Sequence, residues 1–155
     1  MNIFVLDYDP KKAAQMQCDK HVVKMPLESA QILCSVFKPN SAPYRRTHYN
    51  HPCSIWARRS QENYVWLINH GLFLCDEYQY RYGKVHKSKN VILWCLKNIK
   101  KIDFNYQGKS KFVLCFDDKY KIGNAVISYR LYYRQEKARI ATWKRRNPPE
   151  WFTRE

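Results

Sequence analysis

Along most of the chain the apolar positions recur at helical spacing and do not alternate. Ala13, Ala14, Met16, His21, Leu27, Ala30, Ile32, Leu33, Val36 and Phe37 sustain one helical pattern to about residue 37. Its start reads Asp7-Tyr8-Asp9-Pro10, with Asp9 as N-cap and Pro10 at the first helical position. Pro26 lacks the amide that bonds one turn back, so a kink is predicted there. The apolar run at residues 3–6 fits either a strand or a packed arm. Pro39, Pro43 and Pro52 mark residues 38–52 as a loop. A second helix begins near Ser54 or Ser60, carries Tyr64, Trp66, Leu67, Ile68, Leu72, Phe73, Leu74 and Cys75, and runs to Tyr82 with Gly83 as its left-handed cap. A third, built on Val91, Ile92, Trp94, Cys95 and Leu96, extends from Lys87 or Ser88 to Lys100. Residues 101–123 read as irregular. Asn124 then caps a last helix from residue 125 to about 145, stopped by Pro148-Pro149. The expectation is an all-α fold: a single compact domain, residues 1–155, of three to four helices with a short N-terminal arm or strand.

Charge changes the picture most. Lys and Arg number 28 against 13 Asp and Glu, a net charge of +15, which points to a polyanionic partner, nucleic acid first. No segment has one basic and one apolar face, so anionic membrane ranks behind, and no apolar run is long enough to span a bilayer. Six cysteines stand sixteen to twenty-two residues apart without a CxxC pair, and the first residues lack a signal peptide's basic start. Reduced, buried thiols in a cytoplasmic setting are expected. No obligate protein partner is predicted.

Three constellations could carry chemistry. His21, Lys24 and Glu28 fall on one helix face, because seven residues make nearly two turns. Polar helix faces are common, so a solvated stripe competes with a general acid/base pair beside phosphate-holding cations. The loop with Arg45, Arg46, His48, His51 and Cys53 fits phosphate contact; His48, His51 and Cys53 match no four-ligand zinc spacing, and no metal or other cofactor is expected. A metal-dependent nuclease on those three residues is the least favoured reading. On the last helix Arg130, Arg134, Lys137 and Arg145 recur at helical spacing among tyrosines and Trp143, which fits a solvated charged face and equally a backbone-tracking, base-stacking surface. A Gly-rich phosphate loop, a GxSxG elbow, a paired acidic metal site and a deaminase signature are all missing from the sequence.

Asp19-Lys20-His21 followed seven residues later by Glu28 resembles the phage pyrimidine-dimer DNA glycosylases of the T4 endonuclease V type. Weaker matches run from His51 through the second helix to Gly83, and at Glu136-Lys137 followed by Thr142-Trp143. The opening Met1-Asn2-Ile3-Phe4 is similar to that of a group of viral proteins, which implies a viral or phage protein acting inside the host cell. The family resemblance implies an endonuclease V-like fold and a metal-independent DNA glycosylase with AP-lyase activity on damaged or modified pyrimidines in duplex DNA. By that resemblance the nucleophile is the N-terminal amine, here that of Met1, since Asn2 is too large for efficient methionine removal. Glu28 would stabilise the sugar's developing charge and assist β-elimination, and His21 would position the sugar-phosphate. Asn2, Lys24, Arg45, Arg46, His48, His51, Arg130, Arg134, Lys137, Thr142, Trp143, Lys144 and Arg145 would contact DNA. That family has an arginine after the nucleophile and arginines flanking the glutamate; here Asn2, Leu27 and Gln31 stand there. The rival reading is a non-catalytic, basic nucleic-acid-binding protein of viral origin, a counter-defence factor.

Overall fold

The computed structural model describes residues 1–153. Among the described residues six helices form: α1 (Pro10–Met16), α2 (Asp19–Ser35), α3 (Pro52–Arg59), α4 (Gln61–Tyr82), α5 (Lys89–Lys97) and α6 (Ala125–Glu136), with short 3-10 turns at Ile99–Lys101 and Asp118–Tyr120. The all-α expectation holds, with more and shorter helices than the apolar pattern predicts. Helix α4 is the hub, packing against α1, α2, α3 and α5. Its close approach to α2 and α5 depends on Gly71, where a Cβ would stand 2.9 Å from Ile92 Cδ1 and 3.4 Å from Ser29 Cβ.

The N-terminal run is an arm. Ile3, Phe4, Val5 and Leu6 are all buried, and Phe4 takes a positive φ of 60°, a conformation that a bulky side chain adopts only when its surroundings impose it. Buried Gln17 fixes the arm, its amide donating to Ile3 O at 3.2 Å. The same amide faces His70 Nε2 at 3.1 Å, while His70 Nδ1 lies 3.1 Å from Pro10 O. Only one tautomer serves both contacts: Nδ1 carries the proton and donates to the carbonyl, and Nε2 accepts.

Three sequence expectations need correction. The first helix is two: the chain extends at Gln17 and Cys18 because Cys18 N–H donates to Tyr133 Oη at 2.9 Å, a partner 115 positions away. Helix α2 then continues through Pro26 to Ser35, close to the end expected near residue 37. Of the two starts expected for the second helix, Ser60 is the one observed: its hydroxyl caps α4 by accepting from Asn63 N–H at 3.1 Å, and Pro52–Arg59 forms a separate helix, so the Ser54 start is corrected. The last helix stops at Glu136, not near 145, because Asp19 claims the backbone beyond it. Its carboxylate accepts from Thr142 Oγ1 at 2.8 Å and from Lys144 N–H at 2.8 Å, and Asp19 N–H donates to Thr142 O. Gly83 ends α4 in the left-handed conformation as expected (φ 69°).

Candidate active site

The arm returns the first residue to the polar stripe of α2. The Met1 amine lies 3.6 Å from Glu28 Oε1, with the Met1 side chain 3% and the Glu28 side chain 12% exposed. Lys24 Nζ is 3.9 Å from Glu28 Oε2 but is 70% exposed, a mobile surface cation one helical turn away. Asn2 holds the amine in place: its Nδ2 donates to Cys115 O at 3.2 Å, and its Oδ1 accepts from Ile3 N–H at 2.8 Å and from Tyr129 Oη at 2.8 Å. Asn2 is therefore buried and occupied within the protein, and its role is to anchor the terminus.

His21 sits beneath the arm. Its ring stacks on Phe4 (centroids 4.2 Å apart, 14° between planes), and its Nδ1 is 2.7 Å from Tyr133 Oη. That hydroxyl also accepts the Cys18 amide, and in the tautomer whose Nδ1 accepts the Tyr133 proton, Nε2 is left as a donor. Burial, reinforced by the charges of Lys137 and Lys24, pushes His21 down to about 3. It is a neutral hydrogen-bond donor at physiological pH, not a phosphate-binding cation.

The loop before α3 closes the other side. His51 caps α3 by accepting Cys53 N–H at Nδ1 (3.1 Å). Burial, then the charges of the Met1 amine and of His48, push His51 below its ordinary value, against an upward pull from Glu28. His48, His51 and the α2 stripe thus share one electrostatic neighbourhood. His48 is exposed, with a positive φ of 50°. Arg46 and Arg58 both lie over the Tyr49 ring (4.2 and 4.0 Å from its centroid), and Arg59 lies over Tyr106 (4.5 Å). Tyr49, Arg58, Arg59, Lys38 and Lys101 line a groove of about 530 Å³. The sequence reading missed this aromatic-basic groove, although paired arginines at the end of a short helix were its visible sign. Arg45 is exposed.

A family model of the pyrimidine dimer DNA glycosylases matches residues 1–91, the arm through the start of α5. The chain belongs to that family. No curated protein and no solved structure matches it. The matched span carries Met1, His21, Glu28 and His51, while Cys115, Tyr129 and Tyr133, which hold Asn2 and His21, lie beyond it. DNA is the substrate class the family implies. No helix among the described residues is long and apolar enough to cross a membrane.

The C-terminal candidates divide. Lys137 reaches the site, its ammonium 5.9 Å from the Phe4 ring centroid and 5.4 Å from that of Tyr132. Arg130 is turned inward, donating to Leu6 O at 2.8 Å and pairing with Asp7 at 3.2 Å. Arg134 donates to Trp151 O at 3.4 Å. Thr142 is bound to Asp19, and Trp143 is buried, donating to Met16 O at 2.9 Å. Lys144 and Arg145 are exposed and lie over Tyr82 and Tyr80 at the end of α4.

The buried histidines predict acid lability. Burial holds His70 down to about 4 and His21 to about 3, from an ordinary 6.5. Below pH 6.5 the unfolded chain takes up protons that the native state refuses. Stability is therefore full above that value and falls as pH drops towards 4 and then 3. The urea midpoint should be clearly lower at pH 4.5 than at pH 7.5, and His70→Gln should flatten the difference. An unchanged slope in that variant would remove His70 from the account.

Proposed function

We propose that the protein is a DNA glycosylase with AP-lyase activity, acting on damaged or modified pyrimidines through an imine formed by its N-terminal amine. The observation that carries this reading is the Met1 amine 3.6 Å from Glu28 Oε1, the Glu28 side chain being 12% exposed. As a class, α-amines are less basic than the lysine side chain, which suits them to act as nucleophiles in imine chemistry. The neutral nitrogen attacks C1′, the N-glycosidic bond breaks, and the base leaves with that electron pair and is protonated. The amine then loses its proton as the sugar ring opens to the iminium. Loss of a C2′ proton and cleavage of the C3′–oxygen bond give β-elimination, and water returns the free amine. Glu28 faces the positive charge that develops at C1′ and can take up a proton. His21 Nε2–H can donate to a sugar or phosphate oxygen. The aromatic-basic groove and Lys137 supply backbone attraction and stacking.

Borohydride should trap a covalent adduct on an abasic duplex, with a mass equal to protein plus DNA fragment and with Met1 retained. Acetylation of the α-amine should abolish trapping. A protein that binds duplex DNA but gives neither adduct nor cleavage across a panel of pyrimidine lesions would be the non-catalytic binding protein instead.

A further inference from the structure

A second group of reactive side chains borders the amine. His51, Cys53 and Cys115 each present a donor atom within 4.8 Å of the other two, and the two Sγ atoms are 3.4 Å apart. His51 and Cys53 flank Pro52 at the start of α3, while Cys115 comes from the irregular stretch before α6, held there by the Asn2 bond to its carbonyl. The sequence contains no zinc spacing here because the third donor is 62 residues distant from the second. Around a tetrahedral zinc, sulfur at about 2.3 Å and nitrogen at about 2.0–2.1 Å place the donors roughly 3.5–3.8 Å from one another. The observed cluster needs only small side-chain shifts to reach that arrangement.

We propose that His51, Cys53 and Cys115 bind a zinc-class divalent cation, and that the bound ion silences the neighbouring amine. Two thiolates and an imidazole select zinc-class ions over magnesium or calcium. Each thiol gives up its proton on binding, so the two thiolates cancel the ion's charge inside a strongly basic protein. The arm that carries the amine is tied to this cluster by Asn2 Nδ2, which donates to Cys115 O at 3.2 Å, and the charges of the Met1 amine and Glu28 both act on His51 and Cys53. Either group can complete the shell, and in either case the amine or its carboxylate is withdrawn from chemistry. His51 Nδ1 now accepts the Cys53 amide, so ligation through Nε2 requires the other tautomer and ligation through Nδ1 displaces that amide. Metal loading therefore competes with the α3 cap. The silencing rests on the imine reading above; the binding site does not.

The test uses the reduced, chelator-stripped full chain titrated with Co²⁺. One equivalent should produce thiolate-to-cobalt charge-transfer absorption and the intense visible bands of a tetrahedral ion, and Zn²⁺ should erase both. Cys115→Ser should lose the spectrum, and Cys34→Ser, whose thiol faces Cys95 at 3.7 Å, should keep it. If Cys115→Ser fails to fold by circular dichroism, His51→Ala makes the same test. A missing spectrum, or one unchanged in the site variant, overturns the site. Stoichiometric Zn²⁺ should cut borohydride trapping at least tenfold in the wild type and not in Cys115→Ser; equal trapping in both overturns the silencing. Absence of any adduct from metal-free wild type, with the cobalt spectrum intact, overturns the imine reading while supporting the site.

Discussion

Glu28→Gln should lower single-turnover cleavage of a lesion duplex by roughly 10²–10⁴-fold, the range for loss of a positioned acid/base group, with DNA affinity changed by no more than about twofold. Glutamine keeps the size of the side chain and its place on α2, so the arm can still pack against it. What it cannot do is oppose a developing positive charge or take a proton. Removing one carboxylate from a chain of net charge +15 should leave phosphate attraction intact or slightly stronger. The direction of the rate change also separates two roles. If Glu28 served only to hold the ammonium form of the Met1 amine, at 3.6 Å, its loss would favour the neutral amine and speed imine formation. Anisotropy binding at fixed salt, beside single-turnover cleavage and trapping on the same duplex, reads all of this. A parallel loss of binding and cleavage would place Glu28 in DNA binding or folding, and faster trapping would reduce it to a counter-ion.

The amine's partner was legible in the sequence only in part. Helical spacing alone put His21, Lys24 and Glu28 on one face, and a solvated stripe satisfied that pattern equally well. The resemblance at Asp19, His21 and Glu28 named the missing amine, but no local rule says that residues 1–6 fold back over α2. That return depends on Asn2 meeting Tyr129 and Cys115, and on Gln17 meeting the arm's carbonyls, all contacts distant in sequence. The same cause explains the helix boundaries. Capping chemistry was readable at Asp9, Asn124 and Gly83, where the determining atoms lie within a few residues. It failed at Cys18 and after Glu136, where Tyr133 and Asp19 outcompete local propensity from afar. Asp19 also shows the limit of motif transfer: within Asp-x-His it reads as part of the site, yet its carboxylate is committed to Thr142, Lys144 and Arg81. The arginines of the last helix fared similarly, since periodicity reports a basic face and not which guanidinium turns inward.

Arg81→Met should destabilise the fold by about 3–5 kcal/mol, the cost of leaving buried charge unpaired. The Arg81 side chain is fully buried, and each arm of its guanidinium has a partner. Nε donates to Glu77 at 2.9 Å, Nη1 to Asp19 at 3.0 Å and to Gln17 O at 2.9 Å, and Nη2 to Gln15 O at 2.9 Å. It therefore ties α4 to the break between α1 and α2 and, through Asp19, to the strap at residues 142–144. Methionine fills the volume but takes a buried cation from two carboxylates: Glu77 keeps Arg146 at 2.5 Å, and Asp19 keeps its donors from Thr142 and Lys144 but, among the described residues, no cation partner of equal burial. Against a total stability of roughly 5–15 kcal/mol for a domain this size, that is at least about a fifth of the total. At roughly 2–4 °C per kcal/mol, the melting temperature should fall by about 6–20 °C. Lysine should rescue little, because a single ammonium cannot reproduce the planar fork. Adding Glu77→Leu to Arg81→Met should recover part of the loss, since removing both partners spares the stranded charge. Full additivity of the two substitutions would show that the pair is not coupled. The functional consequence follows from position: Asp19 begins the helix that carries His21 and Glu28, so Arg81→Met should also weaken trapping at temperatures where the protein remains folded.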